Sequence, residues 1–211
     1  EWVIGAMLDL ARATSSYAAS YHRGVAPIAA MGRELRGAVL GVIGYGRISR
    51  YLCQLAQAFG MRVLVSDPHV VIEPGAVRQV ELPSLLQESD FVVCLAISNA
   101  ETANMMGAKA FAAMKPGACF INTARGELVD EAALLAALES GHLAGCALDV
   151  GRARDQMPSL VLASHPRVIA TPHVGGLTPV SLVHQALVTG SQVETIFRGG
   201  MPVGAVNAER A

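Results

Sequence analysis

Residues 41–49 read GVIGYGRIS, and this stretch decides the fold. An apolar run of strand length, residues 38–43, leads into it, and a helical pattern over 47–59 follows it. The turn between them has the spacing Gly-x-Gly-x-x-Ser. In such a turn the first glycine permits a tight bend, the second lets a pyrophosphate approach the backbone, and the third position must be small. A strand, this turn and a helix in succession predict a dinucleotide-binding site.

An acidic residue completes the pattern, because Asp67 lies 21 residues after Gly46, at the end of the next strand candidate. A carboxylate there accepts hydrogen bonds from a ribose 2′-hydroxyl and repels a 2′-phosphate, which favours NAD over NADP. The helix that begins near Arg47 directs free N–H groups at the phosphates, and the Arg47 side chain can add a charge contact. The alternative, a glycine turn beside an ordinary strand-end aspartate, fits the combined pattern less well.

Short apolar runs alternate with helical patterns along the rest of the chain. The strand candidates are 38–43, 62–66, 77–80, 91–95, 118–122, 144–148 and 167–170. The helical patterns cover 1–21, 47–59, 83–89, 107–114, 130–140 and 179–198. Residues 22–37, which contain several glycines and a proline, are predicted to be irregular. The alternation predicts an α/β fold, a Rossmann-like doubly wound parallel sheet with helices on both faces.

Composition limits the classes of function. The chain has 211 residues, of which 52% are hydrophobic and 16% charged, which suits one domain with strands buried on both faces. Every 18-residue window contains charged or strongly polar residues, and the opening EWVIGAMLDLARA lacks a basic region, which argues against a membrane span and a signal peptide. The net charge is −1 without runs of like charge, so a nucleic-acid or anionic-membrane surface has no electrostatic support.

Cysteines and histidines show no metal-binding pattern. The four cysteines, 53, 94, 119 and 146, are far apart and lie mostly in apolar runs, which predicts buried reduced thiols in a cytoplasmic protein rather than a disulfide framework. The six histidines form no HExxH or H-x-H pair. No metal site is expected.

Two later stretches carry a closer resemblance. Residues 121–150, INTARGELVDEAALLAALESGHLAGCALDV, and 170–176, ATPHVGG, are similar to the signature and the histidine motif of the D-isomer-specific 2-hydroxyacid dehydrogenases. With GVIGYGRIS, SDP at 66–68 and MKPGACFINTARG at 114–126, the similarity covers about 35–207. The resemblance implies NAD as the cofactor and a small 2-hydroxy or 2-oxo acid as the substrate.

The resemblance also predicts the domain organisation. Family members carry a separate substrate-binding domain, built largely from the N-terminal part of their chains. Glu1 and the helix after it resemble the crossover from that domain, and Val206-Asn207 resembles the return to it. We therefore expect a cofactor domain without most of the substrate domain, with a lead-in over 1–34, a Rossmann core over 35–178 and a C-terminal helix and tail over 179–211. Such a chain is expected to bind NAD but not to turn over substrate efficiently.

Two catalytic roles follow from the resemblance. Arg125, in TARG, matches the family arginine that holds the substrate's carboxylate and carbonyl, and a planar guanidinium suits a 2-oxo acid through paired hydrogen bonds. His173, in TPHVGG, matches the family acid/base, which protonates the carbonyl oxygen as hydride arrives and removes that proton in reverse. A surface arginine and an ordinary loop histidine are the plainer alternatives, which the motif context disfavours.

The predicted cofactor contacts follow the carboxyl ends of the strands, where doubly wound sheets bind ligands. Asp149 matches a family acid that contacts the nicotinamide carboxamide or ribose. Family members often carry a His and a Pro where this chain has Leu95 and Ile97. The complete predicted set is Gly44, Tyr45, Gly46, Arg47, Ile48, Asp67, Leu95, Ala96, Thr123, Ala124, Arg125, Asp149, His173, Gly175 and Gly176.

The stretch 147–158, ALDVGRARDQMP, departs from the family pattern. Counted from Asp149, the family glutamate that pairs with the histidine falls on Arg154, and the usual aromatic falls on Gly151. An arginine cannot accept a hydrogen bond from an imidazole N–H. We predict that Asp155 takes over, so that Asp155→Asn lowers turnover far more than Arg154→Ala. A neutral-histidine enzyme and a non-catalytic NAD binder are the other options.

Three functions compete. The first is an NAD-dependent oxidoreductase of 2-hydroxy acids, which the retained Arg125 and His173 favour. The second is a non-catalytic NAD(H)-sensing module of the same fold, which the loss of the glutamate favours. The third, a Rossmann domain acting on a sugar or amino acid, is disfavoured by the TARGELVD signature. A homodimer is also expected, because relatives dimerise through the cofactor domain; the apolar stripe of the 1–12 helix could be buried in a partner or in the core.

Overall fold

A computed structural model describes residues 1–203 and 205. Val206 and Asn207, predicted to begin the return to a substrate domain, lie outside the described residues. The chain divides into two compact units, Glu1–Gly175 and Gly176–Ala211. The predicted boundary between core and C-terminal helix, at 178, lies close to this division.

The first unit contains seven helices and seven strands. Its helices are α1 (Trp2–Arg12), α2 (Thr14–His22), α3 (Arg47–Ala58), α4 (Leu82–Glu88), α5 (Ala108–Ala113), α6 (Glu131–Glu139) and α7 (Leu160–Ala163). Its strands are β1 (Val39–Ile43), β2 (Arg62–Ser66), β3 (Val77–Gln79), β4 (Phe91–Cys94), β5 (Cys119–Asn122), β6 (Gly145–Leu148) and β7 (Val168–Ala170). Short 3-10 turns lie at Gly126–Leu128 and Arg154–Gln156. Each of the seven predicted strands is confirmed.

All strand pairs are parallel, in the order β3-β2-β1-β4-β5-β6-β7. The chain winds outward from β1 in one direction through β2 and β3, and in the other through β4 to β7. This confirms the predicted doubly wound sheet. The winding direction reverses between β1 and β4, and ligands of such sheets bind in the crevice outside the carboxyl ends at that point.

Helices cover both faces of the sheet, and successive residues of a strand face opposite sides. In β1, for example, Val39 and Ile43 pack into one apolar cluster, which includes side chains of α4, α5 and α6. Leu40 and Val42 pack into the other, which includes side chains of α1 and α3. Burial on both faces explains why the central strands, such as β4 and β5, are continuous apolar runs rather than alternating ones.

The N-terminal helix differs from the prediction. The single helix expected over 1–21 is broken at Ala13, which has a left-handed backbone (φ 53°) and separates α1 from α2. The Asp9 carboxylate stabilises the break by accepting hydrogen bonds from the Thr14 hydroxyl at 2.7 Å and the Ser15 N–H at 2.8 Å. The apolar stripe of α1 lies in the core beside α3 and the sheet. Of the two readings of that stripe, the core reading is therefore the right one.

The second unit contains α8 (Pro179–Phe197). Proline stands in its first turn, and the Thr178 side chain caps it by accepting a hydrogen bond from the Ser181 N–H at 3.1 Å. The predicted helix over 179–198 is confirmed. Across the described part of the chain, no helix combines the length and apolar character needed to cross a membrane.

All four cysteines are buried, unpaired thiols. Burial raises the pKa of Cys53, Cys94 and Cys119 to about 11, and it raises the pKa of Cys146 as well. At pH 8 a thiol with a pKa of about 11 is roughly one part in a thousand thiolate, the form that reacts.

We therefore expect Ellman's reagent at pH 8 to leave the native chain unmodified over minutes and to modify all four thiols in guanidinium chloride. The measurement is the absorbance of the released thionitrobenzoate. Rapid modification of one thiol in the native chain would contradict the burial described above.

Candidate active site

A cleft of about 620 Å³ opens at the carboxyl ends of β1, β4 and β5, where the winding direction reverses. Three loops line it, one after each of these strands. The lining residues are Gly46, Arg47, Ile48, Ser49, Leu95, Ala96, Ile97, Ser98, Thr123, Ala124 and Arg125. The volume falls in the range of small-molecule and cofactor sites.

The glycine turn after β1 shapes one wall of the cleft. Gly44 has a φ of 90°, a conformation that side chains rarely adopt, and a Cβ built on it would lie 2.8 Å from the Leu95 carbonyl oxygen. The turn can therefore approach the loop after β4 only because residue 44 is glycine. At Gly46, by contrast, a built Cβ meets no atom within 4 Å. The second glycine thus leaves open space, which is what a pyrophosphate lying against the backbone requires.

The first turn of α3 provides free hydrogen-bond donors beside that space. The N-cap residue is Gly46, so no side chain caps the helix. The first main-chain bond back to the turn is donated by Arg50, which leaves the N–H groups of Arg47, Ile48 and Ser49 available for a phosphate. The Ser49 hydroxyl is buried and has no hydrogen-bond partner among the described residues. These donors and the space at Gly46 fit the diphosphate of a dinucleotide.

Asp67 lies at the end of β2, as predicted. Its carboxylate accepts hydrogen bonds from the N–H of Tyr45 at 2.7 Å and from the N–H of His69 at 2.8 Å. The acid therefore orders the glycine turn as well as standing where a ribose is expected. The Arg50 guanidinium lies over the ring of Tyr45, 5.2 Å from the ring centroid.

Arg125 is held at the cleft by a side-chain amide from the end of β5. Asn122 is buried, and its side chain donates to the Arg125 carbonyl at 2.9 Å and accepts from the Ala124 N–H at 3.0 Å. This closes the turn and leaves the Arg125 side chain exposed, with one guanidinium N–H donated to the Ala124 carbonyl at 2.7 Å. The guanidinium keeps further donors for a bidentate contact with a carboxylate.

The turn that carries Arg125 rests on the loop after β6. A Cβ built on Gly126 would lie 2.3 Å from the carbonyl carbon and oxygen of Gly151, and a Cβ on Gly151 would lie 2.5 Å from the Cα of Pro158. Two glycines therefore allow three backbone segments to stack. The aromatic that the family often carries at residue 151 has no room in this arrangement.

Gly126→Ala is expected to lower the free energy of unfolding by about 3 kcal/mol, because the added methyl group overlaps the backbone of Gly151. Urea denaturation of the 211-residue chain measures this. Gly5→Ala is the matched control: Gly5 lies in α1 with no atom within 4 Å of a built Cβ, and alanine should stabilise the helix by about 0.5–1 kcal/mol. Wild-type stability for Gly126→Ala would show that the two loops are not stacked.

The loop after β7 carries His173 and is fastened to a buried carboxylate. Asp149 accepts hydrogen bonds from the Thr171 hydroxyl at 2.5 Å and from the N–H groups of Val174 at 2.8 Å and Gly175 at 2.7 Å. His173 itself has a left-handed backbone, with φ 56°. Asp149 was predicted to contact the nicotinamide carboxamide or ribose. In this structure its oxygens hold the histidine loop, and the cofactor contact stays a prediction.

The backbone of Asp155, rather than its side chain, lies next to the His173 ring. The Nδ1 of His173 is 3.4 Å from the main-chain carbonyl oxygen of Asp155. The Asp155 carboxylate instead lies 3.6 Å from the Nε of Arg154, and both side chains are largely exposed.

Eight of the predicted cofactor residues line the cleft: Gly46, Arg47, Ile48, Leu95, Ala96, Thr123, Ala124 and Arg125. Gly44, Tyr45 and Asp67 support the glycine turn beside it, Asp149, His173 and Gly175 belong to the histidine loop, and Gly176 begins the second unit. Three lining residues are outside the predicted cofactor set: Ser49, noted in the sequence only as the small third position of the glycine turn, Ile97, noted only as a departure from the family, and Ser98, which was not singled out. The position of Ser98 in the loop after β4, directly after Leu95, Ala96 and Ile97, was the available signal.

A family model describes the chain over most of its length. Residues 4–175 match that of the D-isomer specific 2-hydroxyacid dehydrogenase, NAD binding domain. Among curated proteins, D-3-phosphoglycerate dehydrogenase 2 of Saccharomyces cerevisiae is 38% identical over 221 aligned positions, which cover 98% of this chain and 47% of the relative. The chain thus spans about half the length of the curated relatives it matches.

Solved structures of dehydrogenases and reductases resemble this chain in fold. A glyoxylate reductase from Paecilomyes thermophila superposes with a TM-score of 0.88 at 29% identity, covering 97% of this chain and 63% of the other. A D-lactate dehydrogenase from Aquifex aeolicus, complexed with NAD and lactic acid, superposes with a TM-score of 0.81 at 30% identity, covering 92% of this chain and 64% of the other.

Proposed function

The chain belongs to the D-isomer specific 2-hydroxyacid dehydrogenase family, as its NAD-binding domain, and on that premise we propose that it serves an oxidoreductase of small 2-hydroxy and 2-oxo acids. The family resemblance inferred from the sequence is thereby confirmed. One observation carries the proposal: the dinucleotide turn and the Arg125 turn line the same cleft. A site that binds the cofactor and anchors a carboxylate side by side suits hydride transfer to a 2-oxo acid.

The cofactor is proposed to be NAD rather than NADP. Support comes from Asp67, whose carboxylate stands at the end of β2 and would repel a 2′-phosphate. The open space at Gly46 and the N–H groups of Arg47, Ile48 and Ser49 would hold the diphosphate. When bound, NAD supplies or accepts the hydride.

The protein's own groups would bind the substrate and move the proton. The Arg125 guanidinium binds the substrate carboxylate and polarises the neighbouring carbonyl. The His173 imidazole donates a proton to the carbonyl oxygen during reduction and accepts it during oxidation. Asp155 positions that imidazole. The substrate side chain would be recognised by groups outside these 211 residues, since the relatives are about twice as long.

A non-catalytic NAD(H) sensor is the second candidate, and one observation favours it. The residue at the family's glutamate position, Arg154, has no acceptor for an imidazole N–H, and its side chain is largely exposed. A sensor, however, has no evident need for both Arg125 and His173, and for that reason the oxidoreductase is the proposed function.

A panel of acids separates the two candidates. The protein that contains this chain together with its substrate-binding part is mixed with NADH and individual 2-oxo acids, and NADH absorbance is followed. The reverse reaction is tested with NAD and D-3-phosphoglycerate or D-lactate, chosen from the relatives' names. Turnover with at least one acid supports the oxidoreductase. Tight NADH binding without turnover on any acid supports the sensor.

Homodimerisation and a cytoplasmic location complete the proposal. Dimerisation is supported by exposed apolar side chains in and after α2, namely Tyr21, Val25, Ile28 and Met31. Light scattering during gel filtration tests it. A cytoplasmic location is supported by four thiols that are all unpaired.

A further inference from the structure

We propose that the main-chain carbonyl of Asp155, rather than any carboxylate, accepts the hydrogen bond that orients His173. This inference deepens the proposed function, on which its catalytic meaning rests. The direct observation is the 3.4 Å separation between the His173 Nδ1 and the Asp155 carbonyl oxygen. The carbonyl substitutes for the family's glutamate, whose place is taken by Arg154.

The Asp155 carbonyl is available because the hydrogen bonds within the loop are accepted by neighbouring carbonyls. Within the loop, Gln156 donates its N–H to the carbonyl of Ala153, Met157 to that of Arg154, Gly151 to that of Gln156, and Ala153 to that of Met157. The carbonyl of Asp155 is left to face the histidine. The pattern requires left-handed backbone at Asp155 and Gln156, with φ of 58° and 59°. Aspartate is among the few residue types that adopt this conformation readily.

The loop is fixed in place by Arg152. Its Nε donates to the Val129 carbonyl at 3.2 Å, and its guanidinium also reaches the Asn104 side-chain oxygen at 2.5 Å and the Glu127 carbonyl at 3.0 Å. Its main-chain N–H donates to a carboxylate oxygen of Glu131 at 3.2 Å. These bonds tie the loop after β6 to the segment that follows Arg125. The position of the Asp155 carbonyl is therefore set by the same framework that holds the arginine turn.

The backbone of His173 is held in place by hydrogen bonds of its own loop. Its main-chain N–H donates to the Thr171 carbonyl at 3.0 Å, and the Asp149 carboxylate fastens the next two N–H groups. Both partners of the 3.4 Å contact thus lie on backbone that is anchored to the ends of β6 and β7. A carbonyl can only accept, so the contact fixes the proton on Nδ1 and leaves the Nε2 lone pair for the substrate's proton.

Nitrogen NMR of the 211-residue chain, labelled with ¹⁵N-histidine, tests the inference without any turnover assay. The signals of His173 are assigned by their loss in His173→Gln. At a pH where the ring is neutral, we expect Nδ1 to carry the proton and Nε2 to be unprotonated. A predominantly Nε2-protonated ring in the wild-type chain would overturn the inference.

Three substitutions at one position separate the carbonyl from the side chain. Asp155→Asn and Asp155→Gly keep a carbonyl in a left-handed conformation and should leave the proton on Nδ1. Asp155→Pro cannot reach a φ of 58°, because its ring holds φ near about −65°, and the proton should move towards Nε2. If Asp155→Asn or Asp155→Gly moves the proton as well, the carboxylate is the acceptor and the inference is wrong.

The NMR result for the His173 ring does not depend on the result of the acid panel. Failure of every acid with a protonated Nδ1 would refute the proposed oxidoreductase and leave the carbonyl contact standing. Turnover together with an Nε2-protonated ring would refute the contact alone. If Asp155→Pro does not fold, the asparagine and glycine variants still decide the question.

Discussion

Gly46→Val is expected to weaken NADH binding by at least about 100-fold, or about 2.7 kcal/mol, while leaving the fold intact. The backbone at Gly46, with φ −80° and ψ −166°, is one that valine adopts, and a built Cβ meets no atom within 4 Å. The isopropyl group therefore fits the protein. It occupies the space in which the diphosphate would approach the first turn of α3.

Two measurements on Gly46→Val separate a loss of NADH binding from a loss of stability. NADH fluorescence titration gives the dissociation constant, and urea denaturation gives the free energy of unfolding, which should fall by no more than about 1 kcal/mol because valine is a poorer N-cap than glycine. Gly5→Ala, on α1, serves as the binding control and should bind NADH as the wild type does. A Gly46→Val chain with wild-type affinity would mean that the diphosphate does not lie on this turn.

His173→Asn is expected to lower kcat of the intact enzyme by about 10²- to 10⁴-fold, the usual contribution of a positioned acid/base. Asparagine keeps a polar side chain on the loop but cannot exchange a proton at neutral pH. The affinity for NADH should change far less than kcat, because His173 is only one of the predicted cofactor contacts and lies outside the lining of the dinucleotide cleft.

The controls for this prediction distinguish proton transfer from general damage. His22→Asn replaces an exposed histidine on α2 and should leave kcat unchanged. Arg125→Gln should instead raise KM for the 2-oxo acid strongly, since it removes the carboxylate anchor. A His173→Asn enzyme with more than about a tenth of wild-type kcat would show that the proton comes from another group.

The sequence was informative about the sheet because its central strands, β1, β4, β5 and β6, are buried on both faces. Strands such as Phe91–Cys94 and Cys119–Asn122 are continuous apolar runs, which stand out against the helices between them. Two local features were not predictable in this way. Periodicity does not reveal that Ala13 is left-handed, and α7, with four residues of which only Leu162 is buried, is too short to show a helical period.

Most residues of the cleft could be predicted from the sequence, but the group that contacts His173 could not. Residues of the glycine turn and of the TARG segment were identified because each motif is local and keeps its geometry wherever it occurs. The partner of His173 depends instead on the shape of the loop after β6. That shape is set by the close approach of Gly126 to Gly151, 25 positions along the chain, and by two successive left-handed residues. Sequence spacing pointed to Asp155 but to its carboxylate rather than its carbonyl, so the loss of turnover predicted from the sequence for Asp155→Asn does not follow from the carbonyl contact.

Calorimetric titration of the 211-residue chain with NADH shows whether the glycine turn and Asp67 form a dinucleotide site. We predict a single site with a dissociation constant below about 1 mM, in the usual range for enzyme ligands, and at least about tenfold weaker binding of NADPH because of Asp67. Absence of heat with folded chain at millimolar NADH, or equal affinity for the two nucleotides, would contradict it.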